Sequence, residues 1–339
     1  MQAVQSLGAA QLEMQRETYV DAVAPAHAPA DLAREIAALP ACHTLYTSGD
    51  YLVMVAPQGL IPRSMEEIGR LRELSFRAVG EGTGKYRDID VFDEWYQQLF
   101  VWHRRQQQLL GAYRLCMTDV VRSRYGQSGL YTTTLFDYDS ALLDEIGPAV
   151  ELGRSFVRLE FQGAGRVLAL LWRGIGHLLA GRPRYRTLFG PVSVSSSYSA
   201  ESRRLIASAL SKGSYRHELS GRVLPKRPLA DVGSISALEH AADVRALSKR
   251  VGQLESDQKG LPVLIREYIK LGGQFLGFSV DPAFHDAMDG LVVVDLERTN
   301  PRLLQLHMGQ DNYEHFRQAA RPVARRAPRF PAHPEIGQE

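Results

Sequence analysis

An acidic and a basic side chain stand three residues apart inside an apolar segment, at Glu151 and Arg154. Burying charge is costly unless the groups are paired or serve a purpose. On a regular strand they would face opposite sides, but a bulge at Gly153 would bring them to the same side. The pair is a candidate for proton transfer by a carboxylate beside a guanidinium, and a structural ion pair within the sheet is the alternative.

A glycine-containing turn at 162–166 follows this segment and opens an amphipathic helix. Glycines at a helix N-terminus let backbone N–H groups approach an anionic or carbonyl ligand. A plain glycine turn would leave the same pattern. Taken with the strand before it, the turn favours a ligand-binding strand–turn–helix unit.

Other familiar catalytic patterns are incomplete or missing. The segment 80–85 resembles a phosphate-binding loop but is one residue short, and Tyr86 stands where Ser or Thr would hold magnesium, so it is predicted to be a flexible loop. The sequence has no Gly-x-Ser-x-Gly elbow, no His-x4-Asp pair and no zinc-ligand spacing. We therefore predict no bound metal or cofactor.

The composition is that of a globular protein, with 45% hydrophobic and 23% charged residues in 339. A net charge of +2 indicates no nucleic-acid partner. Seven arginines and one acid lie within 154–186, and five arginines lie within 317–339, so local basic surfaces are predicted for an acidic protein or an anionic membrane surface. The sequence shows no secretory signal and no apolar segment long enough to span a membrane. Its two cysteines are far apart, which suits a reducing compartment. We therefore expect a cytoplasmic protein, with peripheral membrane contact as an option.

Hydrophobic periodicity places these motifs on alternating strands and helices. Strands are predicted at 52–56, 100–102, 109–115, 131–136, 150–159, 187–194, 275–280 and 291–296. Helices are predicted at 62–76, 163–179, 200–210, 235–254, 261–271 and 301–308, with a short one starting at 139 and a loop at 211–235. Ser64 and Ser199 are predicted N-caps. The order indicates an α+β or mixed α/β class, and α+β is the class we predict.

Longer blocks of sequence carry a resemblance to a known family. They are 71–77, 80–85, 92–93, 111–115, 131–136, 151–157, 171–175, 185–194, 198–199, 259–263, 271–273, 278–282 and 289–296. In this order they resemble the GNAT-like N-acyltransferases of the ornithine-lipid and glycine-lipid synthase group, over roughly 45–318. The resemblance implies a GNAT fold: a central mixed, mostly antiparallel sheet with a splayed strand pair, flanked by helices.

A fainter likeness to acyl-homoserine-lactone synthases rests on single residues. They are Arg72, Phe76, Asp90, Asp93, Arg114, Glu151, Arg154 and Phe156. Both resemblances imply transfer of a fatty acyl group, 3-hydroxylated in lipid precursors, from an acyl carrier protein to the α-amine of an amino acid such as ornithine. That would be the first step of aminolipid synthesis.

The resemblance also implies roles for individual residues. Glu151 would be the base, Arg154 would hold it or bind the substrate carboxylate, and Tyr198 would protonate the leaving thiol unless it is a core tyrosine. The implied substrate-binding residues are Arg72, Phe76, Asp90, Asp93 and Arg114, although the arginines and aspartates could simply pair. The implied carrier and pantetheine contacts are Phe156, Val157, Arg158, Gln162, Gly163, Gly165, Arg182 and Arg184. The glycine loop matches the usual pyrophosphate loop only in part, which favours a carrier protein over coenzyme A.

The domain implied is 45–318, with a helical insertion at about 211–271, a lead-in at 1–44 and a basic, disordered tail at 319–339. Two other functions stay open at this point. One is a synthase that releases an N-acyl amino acid or acyl-homoserine-lactone signal. The other is an inactive GNAT module that binds carrier protein or lipid.

Overall fold

A computed structural model describes residues 22–163, 165–230 and 243–319. The strands are β1 Thr44–Ser48, β2 Tyr51–Pro57, β3 Gln97–His103, β4 Gln108–Met117, β5 Phe136–Tyr138, β6 Ala149–Val157, β7 Thr187–Val194, β8 Val223–Pro225, β9 Gln274–Asp281 and β10 Ala287–Asp295. The helices are α1 Pro29–Ala37, α2 Pro62–Arg77, α3 Thr118–Tyr125, α4 Ser140–Ile146, α5 Arg166–Ala180, α6 Ala200–Leu210, α7 Val244–Leu254, α8 Val263–Lys270, α9 Pro301–Met308 and α10 Gln310–Gln318.

Eight of these strands form one twisted sheet in the order β1-β2-β3-β4-β6-β7-β10-β9, and β5 pairs with β8 separately. Every pairing in the large sheet is antiparallel except that of β6 with β7. The parallel pair is joined only at 149–151 and 187–189, after which the two strands part. The predicted GNAT fold, with its mixed sheet and splayed strand pair, is confirmed.

Close packing marks the point where the strands part. A Cβ on Gly190 of β7 would lie 2.1 Å from the carbonyl oxygen of Leu152 on β6, and Gly190 has a φ of +153°. Only glycine fits such an approach without a shift of the backbone. Gly190 therefore lets β7 approach β6 immediately beyond the last paired residues.

The predicted bulge in β6 is present. Arg114 of β4 pairs with Gly153, whereas Ala112 pairs with Phe156, so β6 carries one extra residue between these pairs. Arg154 takes up the extra length with a φ of +48°, a left-handed conformation that is uncommon outside glycine. The bulge turns the side chain of Arg154 away from the regular alternation of the strand.

The sheet is covered on both faces, as the alternation of buried residues along its strands requires. Val53 and Leu99 belong to the core cluster that contains α5, while their neighbours Met54 and Phe100 belong to the cluster that contains α2. The buried stripe of α5 comprises Val167, Leu170, Leu171, Ile175, Leu178 and Leu179. Strand β6 takes part in both clusters, with Val150 and Leu152 in the first and Phe156 in the second.

Two local predictions are wrong. The segment 131–136 is not a strand: Tyr131–Thr134 is a 3-10 turn, and β5 begins only at Phe136. The hydroxyls of Thr133 and Thr134 donate to carbonyls three residues earlier, which competes with strand pairing. Ser64 is not an N-cap, because Glu35 of α1 accepts hydrogen bonds from the backbone N–H groups of Arg63 and Ser64 at 2.9 and 2.7 Å.

Other boundaries differ by a few residues. α5 begins at Arg166 rather than 163, since Gly163 and Gly165 have φ values of +92° and +65°. Ser199 does cap α6, accepting a hydrogen bond from Ser202 N–H. The predicted helix at 235–254 is seen as α7 from Val244, and 231–242 lie outside the described residues, as do 1–21 and 320–339. Part of the lead-in, α1, packs Leu32 and Ile36 into the α2 core cluster.

Candidate active site

A cleft of about 530 Å³, termed the β6 cleft, lies where the two strands part. Ser155 and Val157 of β6 line one side and Ser193 of β7 lines the other. Much of the remaining lining is apolar: Phe76, Val79, Phe156, Phe161, Leu168, Pro262, Val263 and Leu264. An elongated apolar ligand would bury its surface here at roughly 25 cal/mol per Å².

A smaller space of about 60 Å³, the inner cavity, adjoins this cleft and shares Phe76, Glu81, Ser155, Ser193 and Leu264 with it. A third space of about 870 Å³, the outer cleft, shares a different set with the inner cavity: Tyr131, Arg154, Asp281 and Phe284. Within the described residues, no lining residue is common to the β6 cleft and the outer cleft. Two ligands that used separate clefts would therefore meet at the inner cavity.

The β6 cleft gathers most residues expected to hold the acyl donor. Phe156, Val157, Gln162, Gly163 and Gly165 all line it, together with Phe76 and Tyr198. The side-chain amide of Gln162 donates to the carbonyl of Val157 at 2.8 Å, which ties the glycine turn to the end of β6. The strand–turn–helix unit therefore forms one wall, as its sequence indicated.

The three arginines expected beside this group are placed differently. Arg158 follows β6 directly and pairs with Glu160 at 3.2 Å. Arg182 and Arg184 lie beyond the C-terminal end of α5, and fifteen residues at 1.5 Å each put them about 22 Å from the glycine turn. Arg184 pairs there with Asp119. The structure does not bring Arg182 and Arg184 to the cleft, because the helix that begins at the cleft carries them away from it.

Tyr198 lines the β6 cleft, and its hydroxyl donates to the carbonyl of Gly260 at 2.8 Å. The ammonium of Lys259 lies 4.6 Å from the centre of its ring. Burial, with the nearby carboxylates of Glu255 and Asp257, raises the pKa of Tyr198 to about 12. The phenol is thus protonated at neutral pH, as a proton donor must be.

Glu151 is buried on β6, with 1% of its surface exposed. One carboxylate oxygen accepts from the Tyr96 hydroxyl at 2.5 Å and the other from the backbone N–H of Thr132 at 2.8 Å. Burial raises the pKa of the Glu151 carboxyl. Glu151 lines none of the three spaces. Its contacts instead hold the turn Tyr131–Thr134 in place.

Alternating charges connect α2 to the bulge of β6. The connected residues are, in order, Arg72, Asp93, Arg114, Asp90, Arg154 and Asp88. The Arg72–Asp93 contact measures 3.0 Å, and both side chains are fully buried. Burial alone would raise the pKa of Asp93, but Arg72 and Arg114 hold it at about 2. Arg72, Asp93 and Arg114 therefore pair with one another in the interior, the alternative that the sequence left open.

Within the described residues, Arg154 is the one member of this network that lines the inner cavity, and it lines the outer cleft together with Asp88 and Asp90. Its guanidinium contacts Asp88 at 3.2 Å and Asp90 at 3.0 Å. It lies between the rings of Tyr131 and Phe284, at 4.6 and 4.1 Å from their centres. Within the described residues no ion pair joins Arg154 to Glu151. The two residues are coupled through the Tyr131 turn, which Glu151 holds and on which Arg154 stacks.

Sequence reasoning missed three carboxylates of the inner cavity: Glu81, Asp281 and Asp289. Glu81 follows α2 inside the glycine-rich segment 80–85, where only a loop was predicted. Asp289 lies on apolar strand β10, which begins at Ala287 rather than at the predicted 291. Among the described residues, no group of acidic, histidine or cysteine side chains could hold a metal ion.

No helix within the described ranges is both long and apolar enough to cross a bilayer.

Comparison with known proteins agrees with this geometry. Residues 71–173 match the family described as Acetyltransferase (GNAT) domain. The chain is 33% identical over 253 residues to a glycine N(alpha)-acyltransferase of Phocaeicola vulgatus, covering 69% of this chain and 76% of that protein. It is 34% identical over 257 residues to the protein of the same name from Bacteroides thetaiotaomicron, covering 70% and 74%.

A third relative is the L-ornithine N(alpha)-acyltransferase of Agrobacterium fabrum, 27% identical over 255 residues, covering 71% of this chain and 78% of that protein. No solved structure was found to match. These similarities agree with the splayed sheet and with the cleft between its parted strands. The chain belongs to the GNAT N-acyltransferases that include the glycine and ornithine Nα-acyltransferases.

Proposed function

We propose that the protein transfers a fatty acyl group, 3-hydroxylated in its biological form, from an acyl carrier protein to the α-amine of glycine. This would be the first step in making an aminolipid. The observation that carries the proposal is the inner cavity, which the β6 cleft and the outer cleft approach through separate sets of residues. A thioester in one cleft and an amine from the other would meet there.

The acceptor is proposed to be glycine rather than ornithine, for two reasons. The relatives named for glycine are 33% and 34% identical to this chain, whereas the one named for ornithine is 27% identical. The inner cavity is also small, about 60 Å³, when about 10–15 Å³ on this measure accommodates one water. An amine and its adjoining CH₂ group suit that space better than a branched α-carbon.

The donor is proposed to be a carrier-protein thioester with a long acyl chain. The apolar lining of the β6 cleft suits the chain, and Gly163 and Gly165 let the pantetheine arm approach the backbone. Arg158 and Arg166 directly follow the lining residues Val157 and Gly165 in the chain, and Lys259 lies over the ring of Tyr198. These three are proposed to meet the acidic carrier, in place of Arg182 and Arg184. Such a protein would work in the cytoplasm, close to the membrane that receives its product.

In the proposed reaction the amine nitrogen attacks the thioester carbonyl carbon, and the C–S bond then breaks. The unpaired edge of β6 supplies backbone N–H groups near the carbonyl oxygen, and such donors contribute roughly 3–4 kcal/mol in acyl-transfer enzymes. Tyr198 remains the proposed donor of a proton to the thiolate, since it lines the same cleft and is protonated.

Product analysis tests the proposal. Purified protein would be incubated with a 3-hydroxyacyl carrier-protein thioester or the matching coenzyme A thioester, and with glycine, alanine or ornithine. We expect mass spectrometry to detect N-acylglycine, with kcat/KM at least about tenfold higher for the carrier thioester, a difference of about 1.4 kcal/mol.

Reactions without protein provide the blank for this assay. A faster reaction with ornithine would contradict the acceptor assignment, and a faster reaction with the coenzyme A thioester would contradict the donor assignment. Faster transfer from an acyl thioester without the 3-hydroxyl group, whose product cannot be acylated again, would favour the signal-synthase alternative.

A further inference from the structure

Three buried carboxylates face the inner cavity, each from a different part of the chain. Glu81 follows α2, Asp281 ends β9, and Asp289 lies within β10. Their exposed fractions are 7%, 5% and 8%. Because an isolated carboxylate is strongly disfavoured away from water, three in one place require a compensating partner.

The protein supplies only part of that compensation. Glu81 accepts a hydrogen bond from the Ser193 hydroxyl at 2.9 Å. Asp281 accepts one from the Tyr131 hydroxyl at 3.1 Å and one from the backbone N–H of Ala283 at 2.9 Å. The side chain of Asp289 has no hydrogen bond or ion pair with any described residue, although it is buried and lines the cavity. Asp289 is therefore an unsatisfied acceptor directed at an enclosed space.

The nearby cation, Arg154, only partly opposes the rise in the pKa of Asp289 that burial and the other two carboxylates cause. Arg154 lines the cavity, but Asp88 and Asp90 already contact its guanidinium. The other titratable side chains that line the cavity, among the described residues, are the phenols of Tyr113, Tyr131 and Tyr268, and burial raises the pKa of each, so they are neutral at pH 7. Among the described residues, three carboxylates of the cavity thus face one guanidinium that two other carboxylates already contact, so the cavity has an excess of acidic groups.

The three carboxylates affect one another as well. Burial, together with the negative charge of Asp281, raises the pKa of Glu81 to about 7, although the Ser193 hydrogen bond opposes the shift. Burial, with Asp281 and Glu81, raises the pKa of Asp289 well above its usual value. A carboxyl with a pKa near 7 is well matched to exchange protons at neutral pH.

We propose that the inner cavity is the binding site for the ammonium group of the acceptor, with Asp289 as its direct partner and Glu81 as the catalytic base. This rests on the proposed function and assigns the base to a different residue from Glu151. Glu81 is suited to the role because, of the three carboxylates, it alone also lines the β6 cleft. It therefore lies between the amine and the thioester.

The proton balance of the step is as follows. The substrate ammonium gives one proton to Glu81 and becomes the neutral amine, whose lone pair attacks the thioester carbonyl carbon. The tetrahedral intermediate loses a second proton from nitrogen, and its C–S bond breaks to release a thiolate. One of the two protons ends on the thiol and the other leaves to solvent, so amide, thiol and one proton are formed.

Two amide variants separate the roles. Glu81→Gln is expected to lower kcat by about 10²–10³-fold, within the usual range for loss of a general base, and to remove the inflection near pH 7 from the rate profile. Asp289→Asn is expected to raise KM for glycine at least tenfold with a smaller change in kcat. Asp295→Asn on the same strand is the matched control, and it should change neither constant.

Thermal melting at pH 8 separates these roles from a structural one. A carboxyl whose pKa is raised by folding contributes stability below its unfolded pKa and loses it as the pH rises through the folded pKa. Between about pH 4.5 and pH 7 the wild type should therefore lose stability that Glu81→Gln keeps. Both cavity variants should melt at or above the wild-type temperature at pH 8, whereas loss of structural carboxylates would lower it.

Binding of glycine methyl ester, measured by titration calorimetry without donor, tests the site independently of turnover. We expect the ester to bind wild type and the Asp295→Asn control equally, and Asp289→Asn at least tenfold more weakly. Asp289-dependent binding by a protein that makes no amide would leave the ammonium site standing and overturn the proposed function. Equal binding by the wild type and Asp289→Asn, or an unchanged kcat in Glu81→Gln, would overturn the inference while the activity stands.

Discussion

Arg154→Ala is expected to reduce the free energy of unfolding by about 3–5 kcal/mol, the range for breaking a buried ion pair. Asp88 and Asp90 would lose the guanidinium that contacts both. Tyr131 and Phe284 would also lose the group stacked between them. Since these rings line the inner cavity, we expect kcat to fall by at least about 10²-fold per folded molecule. Urea denaturation and single-turnover assays measure the two effects.

Two further variants serve as controls for Arg154→Ala. Arg154→Lys keeps the charge but not the planar fork that reaches two carboxylates, so it should recover part of the stability and little of the rate. Arg122→Ala removes a more exposed arginine paired with Asp144 at 3.0 Å, and it should cost less than about 1 kcal/mol with an unchanged rate. If Arg154→Ala behaved like Arg122→Ala, the bulge of β6 would have no part in the site.

Glu151→Ala is expected to destabilise the fold, because Glu151 holds the turn Tyr131–Thr134 in place. It would leave the Tyr96 hydroxyl and the Thr132 N–H without their acceptor inside the protein. Unsatisfied buried donors cost about 1–3 kcal/mol each, so a loss of about 2–4 kcal/mol is expected by denaturation. Glu151→Gln keeps an acceptor for one of them and should lose about half as much.

The rate of Glu151→Gln distinguishes positioning from proton transfer. If Glu151 only holds the Tyr131 turn, Glu151→Gln should keep kcat per folded molecule within about threefold of the wild-type value. The pH profile of the rate should also be unchanged. A general base would instead lose about 10²–10⁴-fold, with partial recovery at high pH. That second outcome would return the base to Glu151 and remove it from Glu81.

The backbone features that shape the site could be predicted from neighbouring residues in the sequence. The charges of Glu151 and Arg154 within an apolar strand indicated a bulge, which the pairing of β4 with β6 shows. The glycine turn before α5 was likewise visible from residue types alone, and it lines the cleft as expected. These features depend on neighbours in the chain, which a single sequence displays.

Partners distant in sequence were harder to predict. Arg72 and Asp93 are 21 residues apart, and their pairing depends on the packing of α2 against β4 and β6. Asp289 was missed because its strand was predicted to start at 291, which placed it outside the apolar segment it belongs to. The Tyr131 turn was taken for a strand because its threonines and aromatics favour strands, while tertiary hydrogen bonds to Tyr96 and Glu151 decide otherwise.

A crystal structure with a bisubstrate analogue, glycine joined through its nitrogen to an acylated pantetheine, tests the central claim most directly. The account predicts the pantetheine along the unpaired edge of β6 and the glycine nitrogen in the inner cavity, within about 3.2 Å of Asp289 and Glu81. A nitrogen bound beside Glu151, or an analogue held in the outer cleft with the inner cavity unchanged, would contradict it.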